Sequence, residues 1–81
     1  LALGQLLVER FAYDEAISYL EPIADDITQD EADVQSAELL MGIAYDGLGL
    51  TDRAREYLRR ARRTLPGTPA ASAASRLLAD L

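Results

Sequence analysis

The stretch from Gln35 to Thr68, QSAELLMGIAYDGLGLTDRAREYLRRARRTLPGT, decides how the rest of the chain is read. Its first half places apolar side chains at Leu39, Leu40, Ile43 and Ala44, widened by Met41 and Tyr45, which is the spacing of one helical face. Gly47 and Gly49 then stop that helix. Thr51 is expected to cap a second helix, with Asp52 in its first turn, where the free amides and the dipole favour negative charge. Ala54, Tyr57, Leu58, Ala61 and Leu65 continue at helical spacing until Pro66 and Gly67 end the pattern. The stretch therefore reads as two helices folded back on each other.

Small residues explain how the two helices meet. Gly42, Ala54 and Ala61 remove bulk at the crossing, and Tyr45 fills the gap beside them. Met41, Gly42, Tyr45, Gly49, Ala54, Ala61 and Pro66 together give the stretch a pattern that resembles the tetratricopeptide repeat (TPR), a helix-turn-helix unit of about 34 residues. It departs from that family at Glu38, where the family often has Trp, and at Leu58, where it favours an aromatic. The resemblance implies an all-α fold, a right-handed superhelix of antiparallel helix pairs.

Residues 1–28 look like an earlier copy. Adding 38 brings Leu1, Gly4, Asp14, Ala16, Tyr19 and Leu20 onto Leu39, Gly42, Asp52, Ala54, Tyr57 and Leu58 without a gap. Tyr13 also stands where the family favours an aromatic at the start of its second helix. The extra residues of the offset are assigned to an insertion around Asp25 to Asp33. Leu1 falls at about the fifth position of its repeat, so the expectation is a helix lacking its first turn, in a chain that is part of a longer protein. Pro22 removes an amide and should kink the first copy's second helix or end it early. Residues 29–34 read as an acidic linker, with Asp30 or Asp33 able to cap the next helix. Thr68 followed by Pro69 is a strong helix start. Ala74, Leu77, Leu78 and Leu81 then form a one-sided apolar stripe, so residues 69–81 resemble the terminal helix that caps a repeat stack. The expected organisation is a single domain of about five helices: a truncated repeat over 1–28, the linker, a full repeat over 35–68 and the cap.

At 81 residues the chain is near the lower limit for a self-sufficient core. Nearly half of its residues are apolar, which argues against disorder. It has no Cys, His, Lys, Asn or Trp, so disulfides and thiolate metal sites are excluded, and the usual nucleophiles and general bases reduce to carboxylates, Ser, Thr and Tyr. No phosphate-binding loop or Ser/Thr with a partnering base appears, and the expectation is no enzyme and no cofactor. No apolar run is long enough for a membrane span, and a cytoplasmic location is expected, with a periplasmic or membrane-tethered parent left open.

Two charged groups invite functional readings. Asp25, Asp26, Asp30, Glu31 and Asp33 lack the alternation and sixth-position Gly of a calcium loop, so a solvated linker is the plainer reading. Residues 1–50 hold eleven acids against one arginine, whereas residues 51–81 hold seven arginines against three acids. The arginines admit a nucleic-acid patch, yet Asp52 and Glu56 dilute them and no aromatic is free to stack on a base. The favoured reading is an outer helix face meeting acids of a neighbouring repeat or chain, with no nucleic acid.

The TPR resemblance implies a ligand surface along the first helices of each pair. The matching positions are Leu1, Gln5, Val8 and Glu9 in the first unit and Ser36, Leu39, Ile43 and Asp46 in the second, with Ala70, Ala73 and Leu77 extending the face. Family members that hold a carboxylate-ended peptide use Lys, Arg and Asn there, and this chain has none at those positions. An apolar peptide or amphipathic helix of a partner protein is the expected ligand. Leu39 and Ile43 are equally readable as core covered by other residues or by a second copy, which makes architectural self-association, or a spacer within a larger repeat protein, the alternative.

Overall fold

The computed structural model describes all residues, Leu1 to Leu81, and is entirely helical. Five helices follow in order: α1 (Ala2–Glu9), α2 (Tyr13–Ala24), α3 (Glu31–Gly47), α4 (Thr51–Thr64) and α5 (Pro69–Ala79). Local chemistry sets most of their ends. The Asp30 carboxylate accepts from the Ala32 amide at 3.0 Å and opens α3, so four of the six residues read as linker are already helical. Thr68 Oγ1 accepts from the Ala71 amide at 3.1 Å and Pro69 occupies the first helical position of α5.

The ends of α1 and α3 share one geometry. After α3, the Gly49 amide donates to Asp46 O and the Leu50 amide to Tyr45 O, with Gly49 at φ +76°. After α1, the Phe11 amide donates to Val8 O and the Ala12 amide to Leu7 O, with Phe11 at φ +61°. Both are Schellman endings. They lie 38 residues apart, and the first puts a phenylalanine in the left-handed position that the second gives to glycine.

One local expectation needs correction. Thr51 does not cap α4, because the chain turns so tightly at Leu50 that Thr51 is already the first helical residue and Leu50 takes the cap position without a side-chain bond. The α2 helix continues through Pro22 and stops two residues later at Ala24. Pro22 lies on the exposed side of the last turn, where the only amide lost is its own.

Successive helices run antiparallel. Along α3 and α4, Gln35 meets Leu65, Glu38 meets Thr64, Gly42 lies against Leu58 and Tyr45 stacks on Tyr57. Helix α3 also packs on α1 and α5, while α2 and α4 meet only through side chains. The molecule measures 29 × 28 × 18 Å, about two helices thick.

The core is made mainly of alanine: among the residues below 2% exposure only Leu20, Met41 and Leu58 are large. Small residues let the helices close in. A Cβ on Gly42 would stand 2.6 Å from Leu58 Cδ2, and one on Gly4 would stand 2.5 Å from Leu20 Cδ2. The two pairs are again 38 residues apart, so both helix crossings use the same Gly-against-Leu device. One apolar cluster joins α2, α3 and Tyr57, and a second joins Leu58, Ala61 and Ala74 with Leu39, Leu77, Leu78 and Leu81 around them.

Candidate partner-binding surface

Ile43 and Asp46 of α3 and Leu77 of α5 surround one cleft of about 50 Å³, closed by Gly42, Leu58 and Leu81. Its floor is possible because Gly42 has no side chain, and its walls are apolar except for the Asp46 carboxylate at the rim. The cleft is the size of one or two methyl groups, enough to seat the end of an aliphatic side chain rather than a small-molecule ligand.

The remaining residues of the expected face divide. Leu39 is half-buried and spends part of its surface on the α4–α5 cluster, as Leu77 also does. Val8 and Leu1 pack on the main core. Gln5 and Glu9 are exposed on α1 and line no cavity, and Ser36 and Ala73 are half-buried and line none. The structure thus gathers Ile43, Asp46 and Leu77 at one spot and leaves Gln5 and Glu9 outside it.

The opposite edge of α3 holds a polar seam that the sequence reading passed over. Glu38 is 3% exposed, yet both carboxylate oxygens are satisfied: Thr64 Oγ1 donates to Oε1 at 2.5 Å and Arg60 Nε to Oε2 at 3.1 Å. Arg60 also donates to Asp25 Oδ1 at 3.1 Å and Ala24 O at 3.3 Å, and its guanidinium lies 4.7 Å from the centre of the Tyr57 ring. Burial works to lower the Arg60 pKa, but the hydrogen bond to Asp25 and the charge of Glu38 outweigh it and hold the group above its ordinary value. Gln35, 3% exposed, donates to Ala61 O at 2.8 Å and Leu65 O at 3.0 Å, and its carbonyl faces the Thr68 hydroxyl at 3.0 Å. These bonds tie α3 to the end of α4 and α4 to the α2–α3 loop. A signal was present in the sequence: Gln35 and Glu38 share a helical face with Gly42, whose lack of bulk marks that face as inward.

The acidic segment is used locally. Asp26 accepts from the Thr28 hydroxyl at 2.6 Å and its amide at 2.9 Å, which holds the carboxyl below its ordinary value, and Asp25 is paired with Arg60. No group of three acidic side chains is gathered as a metal would need. Burial pushes the Tyr57 phenol above its ordinary value against the opposing charge of Arg60.

No protein-family model, curated protein or solved structure matches this chain. No helix is long and apolar enough to cross a membrane.

Proposed function

We propose that the chain is a TPR-like unit, two antiparallel helix pairs and a capping helix in a right-handed superhelix, that holds a peptide or helical segment of a partner protein. Support for the architecture comes from the repetition at 38 residues of the Gly-against-Leu crossing and of the Schellman ending. The cleft formed by Ile43, Asp46 and Leu77 carries the binding reading, because an apolar slot with one carboxylate on its rim suits an aliphatic side chain next to a basic residue. A peptide seated there would run across α3 and α5, with α1 contributing Gln5 and Glu9 at its far end. No catalytic step, cofactor or nucleic acid enters this reading, and a cytoplasmic setting accords with it.

Selection of a displayed library of random 12-residue peptides on the chain tests the proposal. Enriched peptides should share an aliphatic residue beside Arg or Lys and should lose binding to the Ile43→Glu, Asp46→Arg variant. Peptides that bind parent and variant alike would remove the cleft from consideration. The burial of Leu39 and Leu77 against each other's helices favours a second reading, in which this face serves architecture alone. Light scattering separates the two, since self-association at this face would give a dimer that the same double variant returns to monomer.

A further inference from the structure

The outer surface of the first helix pair presents apolar side chains at register positions that the second pair buries. Met41 and Ala44 are fully buried and Tyr57 is 4% exposed, all within the cluster that includes Ala16, Leu20 and Ala24 of α2. Their equivalents 38 residues earlier are Leu3, Leu6 and Tyr19, exposed by 48%, 42% and 37%. The second pair therefore reaches its neighbour through the same positions that the first pair turns to solvent. We infer that this face, Leu3 and Leu6 of α1 with Tyr19 of α2, docks an amphipathic helix of a partner protein that carries a small–large apolar seam and basic flanks.

The internal joint supplies the template for the seam. There the occupant is α2, whose Ala16, Leu20 and Ala24 alternate small and large at four-residue spacing, so that the larger side chains of the next pair fit between them. The flanks follow from charge. At the internal joint the second pair contributes the base: Arg60 reaches back to Asp25. The face of the first pair is flanked by acids instead, with Glu15 one turn before Tyr19 and Glu9 one turn after Leu6, and with Pro22 in place of Arg60. Glu9, Asp14, Glu15 and Glu21 are exposed without an ion pair, against the single base Arg10. An occupant of this face must carry bases where α2 carries acids.

A second copy of the chain does not meet these terms. Its α2 seam is already covered by α3, the matching α4 residues Ala54 and Leu58 are themselves buried and the third position is Arg62, and apposing two identical faces would bring acids against acids. The inference is independent of the α3–α5 cleft, which shares no residue with this face.

The probe is a fluorescein-labelled helix of the α2 sequence Tyr13–Ala24 carrying Glu15→Arg, Glu21→Arg and Pro22→Ala, stapled between positions 14 and 18. Its control is the same stapled helix with both glutamates kept. Fluorescence anisotropy should give the basic probe at least about tenfold tighter binding than the control, a preference that fades with added salt. Leu3→Gln, Leu6→Gln in the protein should weaken it about tenfold, and Ile43→Glu should leave it unchanged. A protein carrying Glu15→Arg, Glu21→Arg, altered only at exposed positions, should switch its preference to the acidic control. Absent or equal binding of the two probes overturns the inference, as does binding that survives both protein variants. A parent that is dimeric by light scattering and monomeric as Leu3→Gln, Leu6→Gln also overturns it, by assigning the face to a second copy.

Discussion

Replacing Gly42 with alanine should destabilise the chain, although the same change in an exposed helix normally stabilises by about 1 kcal/mol. The added Cβ would lie 2.6 Å from both Cγ and Cδ2 of Leu58 and 3.4 Å from its backbone nitrogen. Apolar carbons rest at about 3.5–4.0 Å, so Leu58 would have to retreat by roughly 1 Å. Its room for retreat is limited, because it is 1% exposed and packed on Ala61 and Ala74, with only the cleft of about 50 Å³ beside it. The clash involves the branch carbon, so a rotation of the terminal methyls does not relieve it. Overpacking of this kind costs about 2–3 kcal/mol, and subtracting the helix-propensity gain leaves a net loss of about 1–2 kcal/mol. In a domain of this size that lowers Tm by roughly 5–10 °C. Urea unfolding followed by circular dichroism reads the difference, and the cycle with Leu58→Ala identifies its cause. Leu58→Ala alone should cost about 2–4 kcal/mol through its cavity, but the double variant should cost about 1–2 kcal/mol less than the two singles together. A Gly42→Ala protein as stable as the parent, or additive single effects, would refute the close approach of α3 and α4 at this point.

Three further outcomes follow from the same geometry. Gly49→Ala should cost about 1 kcal/mol with no clash to explain it, because nothing lies within 4 Å of the added carbon and the loss comes from φ +76° alone; unchanged urea stability would mean the Schellman ending is not held. Glu38→Ala leaves Arg60 and Thr64 facing a nearly dry site and should cost about 2–3 kcal/mol, whereas Glu38→Leu, Arg60→Met should recover part of that loss in the same assay. The Tyr57 phenol has a folded pKa above its unfolded value of 10.0, so its contribution is fully present below about pH 10 and is lost as pH rises through the folded value. Parent stability should therefore fall more steeply above pH 10 than that of Tyr57→Phe; parallel curves would show that the phenol is not desolvated.

The sequence by itself determined the features whose causes are local. Gly49 stops α3 because only a residue free of Cβ strain takes a positive φ readily, Pro66 stops α4 by holding Leu65 extended, Asp30 and Thr68 start helices because a side-chain oxygen reaches an amide two or three residues on, and the apolar periodicity marks the inward faces. The 38-residue offset was legible too, and the Gly4–Leu20 and Gly42–Leu58 crossings show it in three dimensions. Tertiary structure decided what depends on partners far along the chain. Glu38 reads in sequence only as a departure from the Trp the family often has, and the arrival of Arg60 and Thr64, 22 and 26 residues later, is what makes its burial tolerable. Leu39 reads equally as ligand face and as covered core until α5 folds back across α3, and the spacing of Leu3, Leu6 and Tyr19 gives no sign that they are left facing solvent. Periodicity reports which side of a helix is apolar; whether that side is covered depends on which other helix reaches it, and no pattern within one helix encodes that.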